Sequence, residues 1–372
     1  MRAIMPPSLT DQLFAWYGQQ ARDLPWRATR DPYAIWVAEV MLQQTRVATV
    51  VPYYQRWLDR FPTMEHLAAA SQDDVLNAWE GLGYYRRAHN LQQAVRLVVD
   101  QHAGRLPTTS GELRRLPGIG PYTAAAIAAI AFGRDEIAVD GNLRRVIARL
   151  FDLDAPLGSA EAEQAIAGAA ARLLPPGRAG DFNQALMDLG ALICTPANPE
   201  CPSCPLQAEC LARQRGTQHQ RPVRPTKGVL PTVERITAVI LRNGRYLVGR
   251  RPAGGLLGGL WEFPGGDLAG QESVDSALVR ILESDLGLAL ERASPRGRYQ
   301  HSYTHFRVTA HVYQCLVGPG EPVLQSHDEL RWLEADLLTD VPMGKIDRTI
   351  AESLNHEDPK NTKGSPKGTK KS

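Results

Sequence analysis

A chain of 372 residues, 43% apolar and 22% charged, is long enough for two or three domains and apolar enough to build cores, which excludes a wholly disordered protein. Lys and Arg number 42 against 40 Asp and Glu, a formal charge of +2 that neither demands nor excludes nucleic acid, because local patches decide that. Five cysteines exclude a disulfide scaffold.

Residues 1–10 lack a signal-peptide core, and the most apolar run, residues 123–132, is too short for a bilayer. A cytoplasmic protein without a membrane partner is expected. Residues 8 to about 210 read as helical, with apolar periodicity at 31–51, 73–79, 90–102, 122–132, 143–151 and 182–193. Pro52, Pro62, Gly81, Gly83, Pro107, Pro175 and Pro176 punctuate the gaps. Residues 37–51 read as one helix with a core stripe of Val37, Val40, Met41, Val47, Ala48 and Val51. Glu39 and Gln43 lie off that stripe, one turn apart, and by pattern alone Glu39 is a solvated surface residue. Leu116-Pro-Gly118-Ile-Gly120-Pro-Tyr122-Thr123 ends one helix and opens another. Its backbone amides and helix N-terminus can hold a phosphate without reading a base, and the string resembles the helix–hairpin–helix of DNA repair proteins. Asp140 precedes an apolar-periodic helix, where N-capping alone explains it.

Cys194, Cys201, Cys204 and Cys210 form a C-x6-C-x2-C-x5-C run that can wrap either Zn²⁺ or a [4Fe–4S] cluster. Only one pair has the knuckle spacing usual for zinc, which favours iron–sulfur. Two disulfides are the alternative that a reducing compartment opposes. Cys315, alone in a strand, reads as a core residue. Residues 211–230 hold Arg213, Arg215, Arg221, Arg224 and Lys227 and no acid. They read as an extended basic linker, either a plain tether or a strap along a phosphate backbone. After Pro231 the period changes to two. Runs at 235–241 and 245–251 flank Asn243-Gly244, a hairpin signal; further strands are expected across 299–316, and helices at 272–286 and 345–355. The Lys-rich end reads as disordered. The division expected is 8–193 all-α, 194–210 metal loop, 211–232 linker, 233–355 α/β, and 356–372 tail.

Glu39-Val-Met-Leu-Gln-Gln-Thr45, Gly81-Leu-Gly-Tyr-Tyr85, the Leu116 string, Asp140-Gly-Asn142 and the four cysteines stand in the order of a MutY-type adenine DNA glycosylase, and the chain resembles that family over about residues 8–350. The resemblance implies an all-α helix–hairpin–helix domain with a [4Fe–4S] loop, followed by an α/β Nudix-like domain. It implies removal of adenine mispaired with 8-oxoguanine or guanine from double-stranded DNA after the base is flipped, by a monomer. Glu39 would deliver a proton to the leaving base and activate water. Asp140 would stabilise the oxocarbenium-like sugar, with Asn142 and Tyr122 as polar helpers. Burial should then hold Glu39 protonated near neutral pH, with Asp140 ionised. Arg22, Trp26 and Gln184 match adenine-pocket positions. Gln44, Thr45 and Tyr84, with Gly118 and Gly120, match DNA and lesion contacts, and Tyr303-Thr304-His305 stands where the family reads 8-oxoguanine, usually with Phe-Ser-His.

Tyr122 stands where endonuclease III-like enzymes place a Schiff-base lysine, so little or no lyase activity is expected. Gly266, Glu272, Arg280, Gly287 and Leu288 fit a Nudix box, but Ile281 and Ser284 replace two of its carboxylates and Asp285 a third. Nucleotide hydrolysis is therefore not expected. The competing functions are an endonuclease III-like pyrimidine glycosylase/lyase, a Nudix hydrolase, and a non-catalytic iron–sulfur DNA-binding protein.

Overall fold

The computed structural model describes residues 8–224, 230–252, 254–303 and 306–357. Expectations resting on Thr304, His305, residues 225–229 of the linker and residues 358–372 of the tail lie outside the described residues. The chain divides into two units, one built from residues 8–69 and 90–224, the other from residues 70–89 and 230–357. The stretch 70–89, expected within the helical domain, joins the second unit through specific polar contacts. Glu80 pairs with Arg348 at 2.7 Å, Asn77 donates to the Asp340 carbonyl at 3.1 Å, and Asp73 meets Arg250 at 3.3 Å.

In the first unit, Ser8 opens the helix Leu9–Gln20 with a reciprocal cap: its hydroxyl accepts from the Asp11 N–H, and Asp11 accepts from the Ser8 N–H. Two helices, Pro32–Leu42 and Val47–Arg60, stand where one was expected over 37–51. The break carries Gln44 at φ +56°, a left-handed conformation that no right-handed helix accommodates. The second helix therefore buries Val50, Tyr54 and Trp57 instead of the predicted Val47, Ala48 and Val51, and Pro52 lies inside it rather than in a gap. The first is buried continuously from Tyr33 to Met41, so it has no solvated face, and Glu39 is only 4% exposed.

Leu143, Ile147 and Leu150 of the helix Gly141–Leu150 pack with Phe182, Leu186 and Leu189 of Ala179–Leu192, and with Leu13 and Ile166. A smaller cluster of Ile35, Ala125, Ala126 and Ile130 takes Tyr122 and Met187 against it. The helix Ala179–Leu192 lies unusually close to its neighbours. A Cβ on Gly180 would stand 2.9 Å from the Ala129 carbonyl oxygen, and one on Gly190 would stand 2.7 Å from Asn142 Cβ. Residues 211–224 are not an extended linker. They begin with a short helix, Leu211–Gln214, and fold onto the helical unit because the buried carboxylate of Asp152 draws Arg215 and Arg221 to 3.0 and 2.9 Å. Leu157 N–H donates to the Val223 carbonyl at 2.9 Å.

The second unit is built on a sheet of strands β1 (Thr232–Arg242), β2 (Arg245–Arg250), β3 (Trp261–Glu262), β4 (Gly265–Asp267), β5 (Leu290–Ser302), β6 (Arg307–Val317) and β7 (Glu329–Leu333). The order is β3-β2-β1-β6-β5, with β4 on β1 and β7 on β2; β1 and β6 run parallel. Alternation along β1 sends Ile236, Ala238 and Ile240 to one face, where Leu278, Ile281 and Leu286 cover them. Val239 faces the other side with Trp261, Phe263, Ile350 and Leu354. The expected hairpin turn holds, with Asn243 at φ +52°, and Cys315 is a core residue. The predicted helix over 272–286 is instead α-helical at Val274–Val279 and then widens to a π-turn at Arg280–Ser284.

Replacing Gly190 by alanine should force Asn142 and the preceding loop aside and cost about 1–3 kcal/mol of stability, the usual range for overpacking. Chemical denaturation checks this; an unfolding midpoint equal to wild type would contradict the close approach.

Candidate active site

Glu39 sits near the end of Pro32–Leu42, and its Oε2 accepts a 2.7 Å hydrogen bond from the Tyr122 hydroxyl. Burial raises the Glu39 carboxyl to about 7; the Tyr122 hydrogen bond opposes this, the charge of Asp140 adds to it, and Arg27 opposes it. Tyr122 opens the helix Pro121–Phe132. Burial, then the charges of Glu39 and Asp140, push its phenol well above the ordinary value, so it remains a donor.

Asp140 caps Gly141–Leu150. Its Oδ1 accepts from the Leu143 N–H at 2.6 Å, and its Oδ2 accepts from the Asn142 amide at 2.9 Å. The expected capping role is thus real, and the cap also brings the carboxylate into the field of Glu39. Asn142 Oδ1 in turn accepts from Arg145 at 2.7 Å, and Arg145 donates to the carbonyls of Gly190 and Cys194, both at 2.7 Å. A hydrogen-bonded path therefore joins Asp140 to the backbone of the cysteine loop.

Glu39 lines a recess of about 440 Å³, open mouth included, shared with Arg22, Trp26, Arg27, Gln184 and Met187. Trp26 stands edge-on to Tyr54 at 5.4 Å, and the Gln184 amide donates to the Gly180 carbonyl at 3.3 Å. The structure thus brings together Glu39, Arg22, Trp26 and Gln184. Arg27 and Asp188 carry no signal in the sequence pattern. Asp188 is wholly buried and bonds both arginines, at 2.6 Å to Arg22 and 2.7 Å to Arg27.

The four cysteines line a second cavity together with Arg149. Burial and the neighbouring thiols push Cys204 up to about 12 and raise Cys210, so thiolates at these two positions need a positive partner. Arg149, also missed from the sequence, is 2% exposed and has no carboxylate paired with it among the described residues. Its guanidinium stands 3.3 Å from Cys194 Sγ and donates to the carbonyls of Thr195, Pro196, Gln218 and Arg221. An arginine buried beside thiols, with no acid to balance it, fits a thiolate-ligated centre of net negative charge. Among the described residues, no three Cys, His, Asp or Glu side chains gather as a single-ion site.

In the hairpin, Ile119 is buried between exposed Gly118 and Gly120. Gly118 has φ +77°, and a Cβ there would meet Asn90 Cβ at 2.6 Å, so glycine is required. Nothing stands within 4 Å of a Cβ built on Gly120, the N-cap of the next helix, and Arg114 and Arg115 beside it are exposed. Gln44 is exposed. Thr45 donates to the Gln43 carbonyl at 3.4 Å, while the Gln43 amide donates to Thr123 at 3.0 Å.

In the second unit, Tyr84 is 43% exposed at φ +50°, with the Arg87 guanidinium 5.5 Å from its ring. Tyr303 stacks on Phe306 at 4.9 Å and meets His301 edge-on at 4.7 Å. Glu272 is held by Arg280 at 2.8 Å, and that bond, with the Ala269 N–H, lowers its carboxyl to about 2. Ile281 is a core residue.

A family model described as HhH-GPD superfamily base excision DNA repair protein matches residues 37–170, and one described as NUDIX domain matches residues 236–353. The Homo sapiens protein named adenine DNA glycosylase is 37% identical over 377 residues, covering 86% of this chain and 69% of that protein. The protein of the same name from Rattus norvegicus is 37% identical over 375 residues, covering 86% and 73%. A solved structure of a thermostable thymine-DNA glycosylase is 30% identical, with a TM-score of 0.50, and covers 55% of this chain and 95% of that one.

The raised Glu39 carboxyl has a stability consequence. Between its ordinary 4.5 and about 7 the folded protein holds a proton that the unfolded chain has released, so stability falls as pH rises through that window and stays lowered above it. Glu39→Gln abolishes the loss. Its stability relative to wild type should grow by roughly 2–3 kcal/mol between about pH 5 and pH 8. Thermal or denaturant unfolding at the two pH values measures it, and an unchanged difference would mean that Glu39 titrates as a solvated side chain.

Proposed function

The chain belongs to the adenine DNA glycosylase family, enzymes of DNA base-excision repair, and we propose that it hydrolyses the N-glycosidic bond of adenine mispaired with 8-oxoguanine or guanine, without lyase activity and with a [4Fe–4S] cluster held by Cys194, Cys201, Cys204 and Cys210. The observation that carries this reading is a buried carboxyl, Glu39, held by the Tyr122 hydroxyl and facing a recess that also presents Arg22, Trp26 and Gln184.

The steps follow from what breaking the bond requires. Adenine turned out of the duplex enters the recess beside Glu39. Glu39 gives its proton to a ring nitrogen, so the electron pair of the breaking C1′–N bond leaves on a neutral base. The sugar gains oxocarbenium character, and Asp140, held beneath it by Leu143 N–H and Asn142, supplies the opposing charge. The Glu39 carboxylate then takes a proton from water as its oxygen bonds to C1′, which restores the acid and leaves an abasic site. The Tyr122 hydroxyl keeps the Glu39 carboxyl in place through the cycle. Tyr122 has no amine to form an imine with the sugar, which supports hydrolysis alone.

The exposed Gly118 and Gly120, with Arg114 and Arg115, suit a phosphate approached through backbone amides. Gln44 and Tyr84, both exposed in left-handed turns, suit a role in the disturbed base stack, and Tyr303 suits a contact to the oxidised guanine. The cluster would be held by the four thiolates, where it would fix the cysteine loop and balance Arg149.

Duplexes carrying adenine opposite 8-oxoguanine, adenine opposite guanine, or a damaged pyrimidine separate the readings. The expected result is adenine release from the first two, with strands cut only after alkali, and abolition of release in Glu39→Gln. Pyrimidine release, or cutting without alkali, would favour the endonuclease III-like reading. The purified protein should be brown and resist chelators, and Cys204→Ser should lose the colour; a colourless protein containing zinc would contradict the cluster.

A further inference from the structure

Asp188 is the one carboxylate wholly buried among the described residues of the first unit, and no step above uses it. It lies on Ala179–Leu192, one turn beyond Gln184 and next to Met187, both of which line the recess. Its two oxygens take the Arg22 N–H at 3.0 Å, Arg22 Nε at 2.7 Å and Nη2 at 2.6 Å, and both Arg27 Nη atoms at 2.7 and 2.8 Å. Arg27 also donates to the Arg22 carbonyl at 2.9 Å. One carboxylate thus gathers two guanidiniums, both of which line the recess that Glu39 faces.

We infer that Asp188 is a positioning residue of the glycosylase, which fixes the forks of Arg22 and Arg27 against the recess wall and screens Glu39 from the positive charge of Arg27. The inference rests on the proposed acid role of Glu39. Its physical basis is that charges in a dry recess act strongly on one another. The groups facing Glu39 are Tyr122 from Pro121–Phe132, Asp140 from the loop before Gly141–Leu150, and Arg27 from the turn Pro25–Arg27. Tyr17, on Leu9–Gln20, lies under Arg27 at 5.5 Å. Of these, the guanidinium is the charge that drives Glu39 to release its proton early. Asp188 meets that guanidinium with both oxygens. Burial acts against the Asp188 carboxylate, but the bonds from Arg27 and Arg22 outweigh it and hold the group below its ordinary value, so it stays an anion where Glu39 must stay an acid. The two carboxyls serve opposite protonation states because Asp188 is bonded by two arginines, whereas Glu39 is buried beside a second acid.

The test is the pH profile of adenine release in a single turnover with an adenine–8-oxoguanine duplex, read as the midpoint at which the rate falls with rising pH. Wild type should show that midpoint near 7. In Asp188→Asn it should fall by about one pH unit, so that release drops roughly tenfold at pH 7.5 while staying within about threefold of wild type at pH 5.5. Adding Arg27→Gln to Asp188→Asn should bring the midpoint back toward wild type whatever the absolute rate. If Asp188→Asn does not fold, Arg27→Gln alone decides, and its midpoint should rise. A rate lowered equally at every pH with an unmoved midpoint, or a midpoint in Arg27→Gln that stays or falls, overturns the inference and leaves Asp188 a purely structural anchor. A wild-type rate that does not fall through neutral pH instead overturns the acid role of Glu39, a separate failure.

Discussion

A carboxyl group taken out of water beside a second acid keeps its proton, and the chemistry assigned to this chain depends on Glu39 doing so. Its helix is buried on every side from Tyr33 to Met41, which leaves Glu39 only 4% exposed and its charged form poorly solvated. The phenol of Tyr122 fixes the orientation and partly opposes the shift, and so does Arg27. The result is an acid near 7 instead of one permanently protonated. Such a group can give a proton at neutral pH and accept one back, which is what a leaving purine and an attacking water require in turn.

The surrounding fold supplies the partners from far apart in the sequence. Asp140 caps the helix that follows it, and the cap bonds to Leu143 and Asn142 fix where its oxygens stand. The helix Ala179–Leu192 approaches the Asp140 loop closely enough that only glycine fits at position 190, and the same helix carries Gln184, Met187 and Asp188 to the recess. Arg145 then ties Asn142 to the backbone of Cys194, and Arg149 ties the cysteine loop to Gln218 and Arg221. Hydrogen bonds therefore connect the loop of cysteines to Asp140.

By pattern alone Glu39 read as a solvated residue and Asp140 as an N-cap; their proposed roles came from the resemblance carried by the strings at 39–45, 116–123 and 140–142. The cap at Asp140, the hairpin at Asn243 and the alternation along β1 were legible because contiguous residues set each of them. What escaped depends on tertiary neighbours. Periodicity marks Glu39 as solvated because it lies off the apolar stripe, yet packing covers both faces of that helix. No local pattern signals that Asp188 would meet Arg22 and Arg27, about 160 residues away in the chain. The break at Gln44 has neither glycine nor proline to announce it. The helix Ala160–Leu173 buries mostly alanines, whose small side chains give weak periodicity; only Ser159 and the acids after it mark its start. The grouping of residues 70–89 with the second unit rests on Glu80 and Asn77 finding partners more than 260 positions later.

The most direct measurement of the central claim is a carbon NMR titration of the Glu39 side-chain carboxyl in the folded protein, assigned by its loss in Glu39→Gln. A midpoint near 7, displaced from the ordinary 4.5, is the predicted result. A carboxyl fully ionised by pH 6 would contradict it, because the recess would then hold no proton to give to the base.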